Sequence, residues 1–192
     1  GHRMDSEKQK THFNRVEGSA RQLVQMLDDM LVIAQMETNN LNYEPEQLNI
    51  EAFLRRIVDE FQSIHSESYQ LVYESQFSDE VMADPRLLRQ IAANLISNAI
   101  KYSPEGSTIE VVLEHQDGQI VLTVRDHGIG IPEDDQIHLF QAFKRASNVG
   151  VVRGTGLGLA IVQQAASLHR GDVHLESRVG VGTTVTLKFP IQ

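Results

Sequence analysis

The sequence predicts an α+β protein, with one long leading helix followed by a mixed α/β domain. Three observations carry this. Phe13, Val16, Ala20, Leu23, Leu27, Met30 and Ala34 recur at alternating steps of three and four, a heptad seam within a helix over residues 7–39. After a turn-rich break at residues 38–45, helical periods alternate with stretches of period two. Two of those stretches, 108–114 and 119–125, meet at Asp117-Gly118, a hairpin signal.

The leading helix carries Val24, Met26 and Ile33 beside its seam, so its apolar face is too broad to stand alone in water and calls for helical partners. Gly1-His2-Arg3-Met4 reads as a tag remnant and residues 5–41 as the helical segment, leaving 42–192 as the second domain. Leu48–Ile50 starts a short strand. Residues 50–64 form a helix with Leu54, Ile57, Val58, Phe61 and Ile64 on one face. Residues 70–74 are a strand. Asp84-Pro85 opens the next helix, the aspartate as cap and the proline in the first turn, and Pro104 and Gly106 end it after Tyr102. The hairpin follows, then a short helix after Pro132, a polar stretch over 144–155, a helix over 156–168, and closing strands at 171–177 and 183–189.

Composition narrows the function. Hydrophobic residues make up 41 %, enough for a packed core. The net charge of −9 argues against nucleic acid as a partner, because phosphate backbones attract basic surfaces. It leaves room for a nucleotide, which needs only local cations such as Lys101, Lys144, Arg145 and Arg153. The absence of cysteine excludes disulfides and thiolate metal sites and fits a cytoplasmic location. No His-Glu-x-x-His pattern and no apolar run of membrane-spanning length occurs.

The chemistry concentrates on the third helix and the glycine segments after it. At about 100° per residue, Gln90, Asn94, Asn98 and Lys101 form one polar stripe, opposite Leu88, Ile91, Ala92, Leu95 and Ala99. Two carboxamides and an ammonium suit phosphate oxygens and a hard cation; a carboxamide oxygen at Asn98 is a suitable magnesium ligand. Ile120, Leu122, Val124 and Asp126 share one strand face, apolar until the carboxylate, which therefore needs a donor such as an exocyclic amino group of adenine. Gly128 and Gly130 allow a sharp turn near a flat ring. Gly154, Gly156 and Gly158, interleaved with Thr155, Leu157 and Leu159, lead into a helix whose free N–H groups can hold phosphate. Neither a Walker-type loop nor a dinucleotide fingerprint is present. Lys144, Arg145 and Arg153 lie where a lid could close over a terminal phosphate, although a solvated basic loop would read the same way.

These motifs, in this order, resemble the catalytic ATP-binding domain of bacterial sensor histidine kinases, in the GHKL or Bergerat group that also includes gyrase. Residues 94–102 resemble the N box, Asp126–Ile131 the G1 box, 140–143 the F box, 154–159 the G2 box, and Gly180–Thr184 the last glycine-threonine element. Residues 16–41 resemble the second helix of the dimerisation and phosphoacceptor hairpin. The resemblance implies a two-layer α/β sandwich in which about five mixed strands are covered by three helices, with ATP and Mg2+ between helices and lid. It implies Asn94, Asn98 and Lys101 as the catalytic set. The wider nucleotide set adds Tyr102, Asp126, Gly128, Ile129, Gly130, Ile131, Lys144, Arg145, Arg153, Gly154, Thr155, Gly156, Leu157, Gly158, Leu159 and Thr183. It further implies a response regulator receiver domain as downstream partner, and a full-length homodimer whose membrane anchoring stays open.

Two departures qualify the resemblance. No histidine has the His-Glu/Asp-x-Arg-x-Pro acceptor context; His12 reads as a surface residue, and the acceptor helix is expected to lie outside this chain. Asn94 stands where related ATPases carry a water-activating glutamate, and asparagine cannot act as a base. Ala142 also replaces a frequent F-box arginine. A nucleotide-gated interaction module and a relaxed ATPase remain the alternatives, and self-phosphorylation is not expected.

Overall fold

The structure is a computed structural model that describes residues 42–150, 152 and 154–191. The heptad seam, His12 and Arg153 lie outside the described residues. Asn42–Gln192 is one compact unit. In chain order its elements are β1 (Glu46–Asn49), α1 (Ile50–His65), β2 (Gln70–Ser75), β3 (Glu80–Ala83), α2 (Pro85–Tyr102), β4 (Thr108–Gln116), β5 (Gln119–Asp126), α3 (Glu133–Gln136), a 3-10 turn (Ser147–Val149), α4 (Gly158–Leu168), β6 (Asp172–Arg178) and β7 (Gly182–Pro190).

A five-stranded sheet runs β2-β4-β5-β7-β6, with β2 and β4 parallel and the other pairs antiparallel. The two-residue loop between β4 and β5 has positive φ at both Asp117 and Gly118, the geometry that suits the twist of paired strands. Period-two patterning sorts the faces. Val111 pairs with Val124 and Leu122 with Leu187, and these buried side chains meet the helices. Glu110, Arg125, Thr184 and Glu176 form a polar cross-strand row on the other face. The long helices α1, α2 and α4 complete the second layer; α1 packs on β2 and α2, and α2 packs on α4.

Two expectations need correction. The short strand precedes Ile50 rather than starting at Leu48, because Asn49 caps α1 by accepting from the Ala52 amide. It pairs with β3, a strand too short at four residues to show in a periodicity reading, to form a separate two-stranded sheet. The last helix begins at Gly158, not Gly156, whose φ of 74° is incompatible with a helical turn. A fourth helix, α3, is a single turn.

The N-terminus of α2 is fixed by a buried polar cluster. Asp84 caps it, accepting from the Arg86 and Leu87 amides at 3.0 and 3.1 Å. The same carboxylate accepts from the Glu44 amide at 3.0 Å. His169, at the end of α4, donates from Nδ1 to the Ala165 carbonyl at 2.8 Å and accepts at Nε2 from the Asp84 amide at 3.2 Å. These partners require the neutral ring, and burial pushes its pKa down. The folded state thus binds this proton less readily than the unfolded chain. Stability is full above the ordinary histidine value of about 6.5 and falls as pH drops below it. Urea unfolding at pH 7.5 and 5.5 is expected to show a larger loss for the native chain than for His169→Gln.

Candidate functional site

Helix α2 gathers the polar elements. Its core side carries Leu88, Ile91, Leu95 and Ala99, all buried, so the opposite stripe faces outward beneath the start of α4. Asn94 donates from Nδ2 to the Gln90 carbonyl at 2.9 Å, one turn back. This leaves Oδ1 turned towards Gly158, where an added Cβ would lie 2.7 Å away. The Asn98 amide lies beside the same glycine, and Asn98 has no side-chain hydrogen bond among the described residues. One turn on, the Lys101 ammonium abuts Gly154 and stands 4.7 Å over the Tyr102 ring, a cation–π contact that steadies it. A side chain at either glycine would displace these groups, so the stripe and the glycine segment are built to touch. Helix α4 starts without a side-chain cap, which leaves first-turn N–H groups available to an anion.

The carboxylate stands near the C-terminal end of α2, where Gly128 and Ile129 meet Tyr102. Asp126 closes β5, in one cross-strand row with Thr183 on β7 and Ser177 on β6, on the helix-covered face. Its Oδ1 accepts from the Gly128 amide at 2.8 Å and the Thr183 amide at 3.2 Å. Burial nevertheless holds its pKa above the usual carboxylate range, against the pull of those two amides and His127. Gly128 is pressed so closely on the Tyr102 carbonyl that no Cβ fits, and the Ile129 amide donates to that carbonyl at 3.1 Å. Gly130 takes φ 63° against the backbone of Arg178, a turn open to glycine. Together these contacts fasten the Asp126–Ile131 segment to the end of α2.

Lys144 and Arg145 lie in the stretch that precedes the 154–158 glycine segment. Gly156, with φ 74°, lies against the Phe143–Lys144 backbone, so the second glycine segment and the stretch after residues 140–143 meet. The side chains of Lys144 and Arg145 are exposed, and Arg145 donates to the Val152 carbonyl rather than into the cleft. That bond uses one of the five N–H donors of the guanidinium. Thr155 accepts from the Leu157 amide at 3.3 Å, and Leu157 is buried while Leu159 is half-buried. The Asp135 carboxylate accepts from both the amide and the hydroxyl of Ser147 at 2.7 Å, tying α3 to the 3-10 turn.

Residues 83–192 match the family model described as histidine kinase-, DNA gyrase B-, and HSP90-like ATPase. The chain belongs to this ATPase family. It is 31 % identical to the circadian input-output histidine kinase CikA of Synechococcus elongatus over 194 residues, 97 % of this chain and 26 % of CikA. The structure resembles full-length ShkA in complex with AMPPNP, with TM-score 0.80 and 25 % identity, covering 96 % of this chain and 39 % of that one. It also resembles the catalytic domain of histidine kinase ThkA, with TM-score 0.67 and 26 % identity, covering 77 % of this chain and 98 % of that one. The chain spans less than half the length of the curated relatives it matches, 26 % of CikA and 41 % of the sensor histidine kinase RppB of Synechocystis.

The five-stranded mixed sheet covered by three long helices is the architecture expected of this ATPase family. Sequence reasoning overlooked two residues beside the carboxylate. Ser177 accepts from the Ile131 amide at 2.9 Å, and Gln136 donates to the carbonyls of Ile131 and Ser177 at 2.9 and 3.0 Å. The signal for Ser177 was present: Val173, Leu175 and Ser177 repeat on β6 the apolar-then-polar alternation that singles out Asp126 on β5. Gln136 had none, because a single-turn helix has no period to read.

Proposed function

We propose that the chain contains the ATP-binding catalytic domain of a two-component sensor histidine kinase, residues 42–192. It would transfer the γ-phosphoryl group of ATP to a histidine on a separate helix, for onward transfer to a response regulator receiver domain. The observation that carries this reading is the convergence on α2: Asn94 and Asn98 at Gly158, Lys101 at Gly154, and Tyr102 at the Asp126–Ile131 segment. The similarity to sensor histidine kinases supports it. Residues 5–41 would supply the second helix of a hairpin through which the full-length protein forms a homodimer. No helix among the described residues is long and apolar enough to cross a membrane.

In this reading the free oxygen of Asp126 accepts from the adenine amino group while its partner oxygen stays locked on two backbone amides. Lys101 and the first-turn amides of α4 hold the phosphates. Catalysis by these groups is positioning and charge neutralisation. Among the described residues no cluster of three or more His, Asp or Glu could hold a metal alone. That suits magnesium, which keeps waters and phosphate oxygens as ligands and needs few from protein; Asn98 would supply one. When bound, it would neutralise phosphate charge. Asn94 cannot take a proton from water, which favours transfer over hydrolysis.

Labelled ATP and magnesium, supplied with a separate acceptor hairpin, should leave an acid-labile phosphate on the acceptor histidine. Asn98→Ala should remove most of the magnesium-dependent gain in nucleotide affinity, about tenfold. Steady hydrolysis with no transfer to the acceptor would contradict the reading.

A further inference from the structure

We infer that Ser177 is a specificity-determining positioning residue: it fixes the Thr183 hydroxyl as a hydrogen-bond acceptor towards the base and so helps select an amino over an oxo group at purine position 6. The inference rests on the proposed adenine contact at Asp126.

The argument is a proton count. A serine hydroxyl has one proton and two lone pairs. The Ile131 amide, 2.9 Å from Ser177 Oγ, can only donate, and takes one lone pair. The Gly182 carbonyl, at 3.0 Å, can only accept, and takes the proton. What remains on Ser177 is one lone pair. Thr183 Oγ1 stands 2.8 Å away, and to bond there it must donate. Its only proton is then used, and its own lone pairs are all it offers elsewhere.

Thr183 is the cross-strand neighbour of Asp126, and both side chains project from the same sheet face. Asp126, as a carboxylate, also offers only acceptors. The wall they form therefore presents oxygen lone pairs and no proton. A 6-amino group meets it with N–H donors; a 6-oxo group meets it lone pair to lone pair. Sites whose buried polar groups are left unpaired discriminate more strongly than apolar pockets. Rigidity keeps the count from rearranging: the Gln136 amide spans the Ile131 and Ser177 carbonyls, holding loop and strand together on both sides of the hydroxyl.

Titration of the full chain with ATP and with inosine triphosphate, which carries an oxo group at that position, tests the inference. The native chain should prefer ATP. In Ser177→Ala the Thr183 proton is released and can turn towards the base, so the preference should shrink by about tenfold, chiefly because inosine triphosphate binds better relative to ATP. Ser177→Thr keeps the hydroxyl and should restore the preference. Equal weakening of both nucleotides in Ser177→Ala would overturn the inference and reduce Ser177 to a strut. If Ser177→Ala does not fold, Thr183→Val serves: ATP binding should weaken with inosine triphosphate unchanged or improved, and an unaltered ratio would overturn the inference. A native chain that binds both equally, or neither, would overturn the adenine reading itself, an outcome visible before any variant is made.

Discussion

Asp126→Asn is expected to weaken binding of a non-hydrolysable ATP analogue on the order of 100-fold while raising the melting temperature of the unliganded chain. The two effects have one cause. In the native chain Oδ1 is held by the Gly128 and Thr183 amides, and the other oxygen is left to accept. Asparagine can keep the first arrangement with its carbonyl oxygen, but then turns an NH2 group, a pure donor, towards the adenine amino group. A charge-assisted hydrogen bond is lost and a donor clash replaces it. Stability moves the other way. Burial holds the Asp126 pKa above its ordinary value, so the folded state favours the proton more than the unfolded chain does. Stability therefore falls as pH rises from the ordinary aspartate value through the raised one, and at neutral pH the carboxylate is a net burden that a neutral isostere removes. Calorimetric titration and thermal melting on the same sample check both. A variant that binds normally, or that loses binding only by melting early, would contradict the account.

Asp84→Ala is expected to lower the unfolding free energy by about 3 kcal/mol, which for a domain of this size corresponds to a melting shift of roughly 10 °C. One buried carboxylate serves three backbone amides: two cap α2, and the third belongs to Glu44 in the segment leading into the domain. Arg86 adds an ion pair at 3.4 Å, but its side chain is half exposed and contributes little. Removing the carboxylate strands all three donors and loosens the helix that carries Asn94, Asn98 and Lys101, so nucleotide affinity should fall as well. Asp84→Asn keeps an acceptor oxygen and should lose less than half as much. Differential scanning calorimetry separates the two variants, and equal melting of Asp84→Ala and the native chain would contradict the cap.

The site was legible where polar residues broke a strong apolar period. Asn94, Asn98 and Lys101 interrupt a helix whose other face is all Leu, Ile and Ala, and Asp126 ends a run of alternating aliphatics. Such breaks are readable because burying them without partners is costly. The α2 and β4–β5 boundaries were legible for the related reason that cap and turn residues mark them: Asp84-Pro85 and Asp117-Gly118. The β1–β3 pair was not, since four-residue strands carry too few alternations and their pairing spans more than thirty residues. The destination of Arg145 was also hidden. An exposed guanidinium binds whichever carbonyl the loop brings close, here Val152, and no pattern in the sequence fixes that choice. His169 shows the same limit in the core. Its partners, Asp84 and Ala165, are joined only once α4 docks beside α2.

The most direct test of the central claim is a crystal structure of the chain with a non-hydrolysable ATP analogue and magnesium. The account predicts the adenine amino group within hydrogen-bonding distance of the Asp126 carboxylate, and the phosphates between Lys101 and the first turn of α4. A nucleotide seated elsewhere, or one whose base leaves Asp126 unengaged, would contradict it.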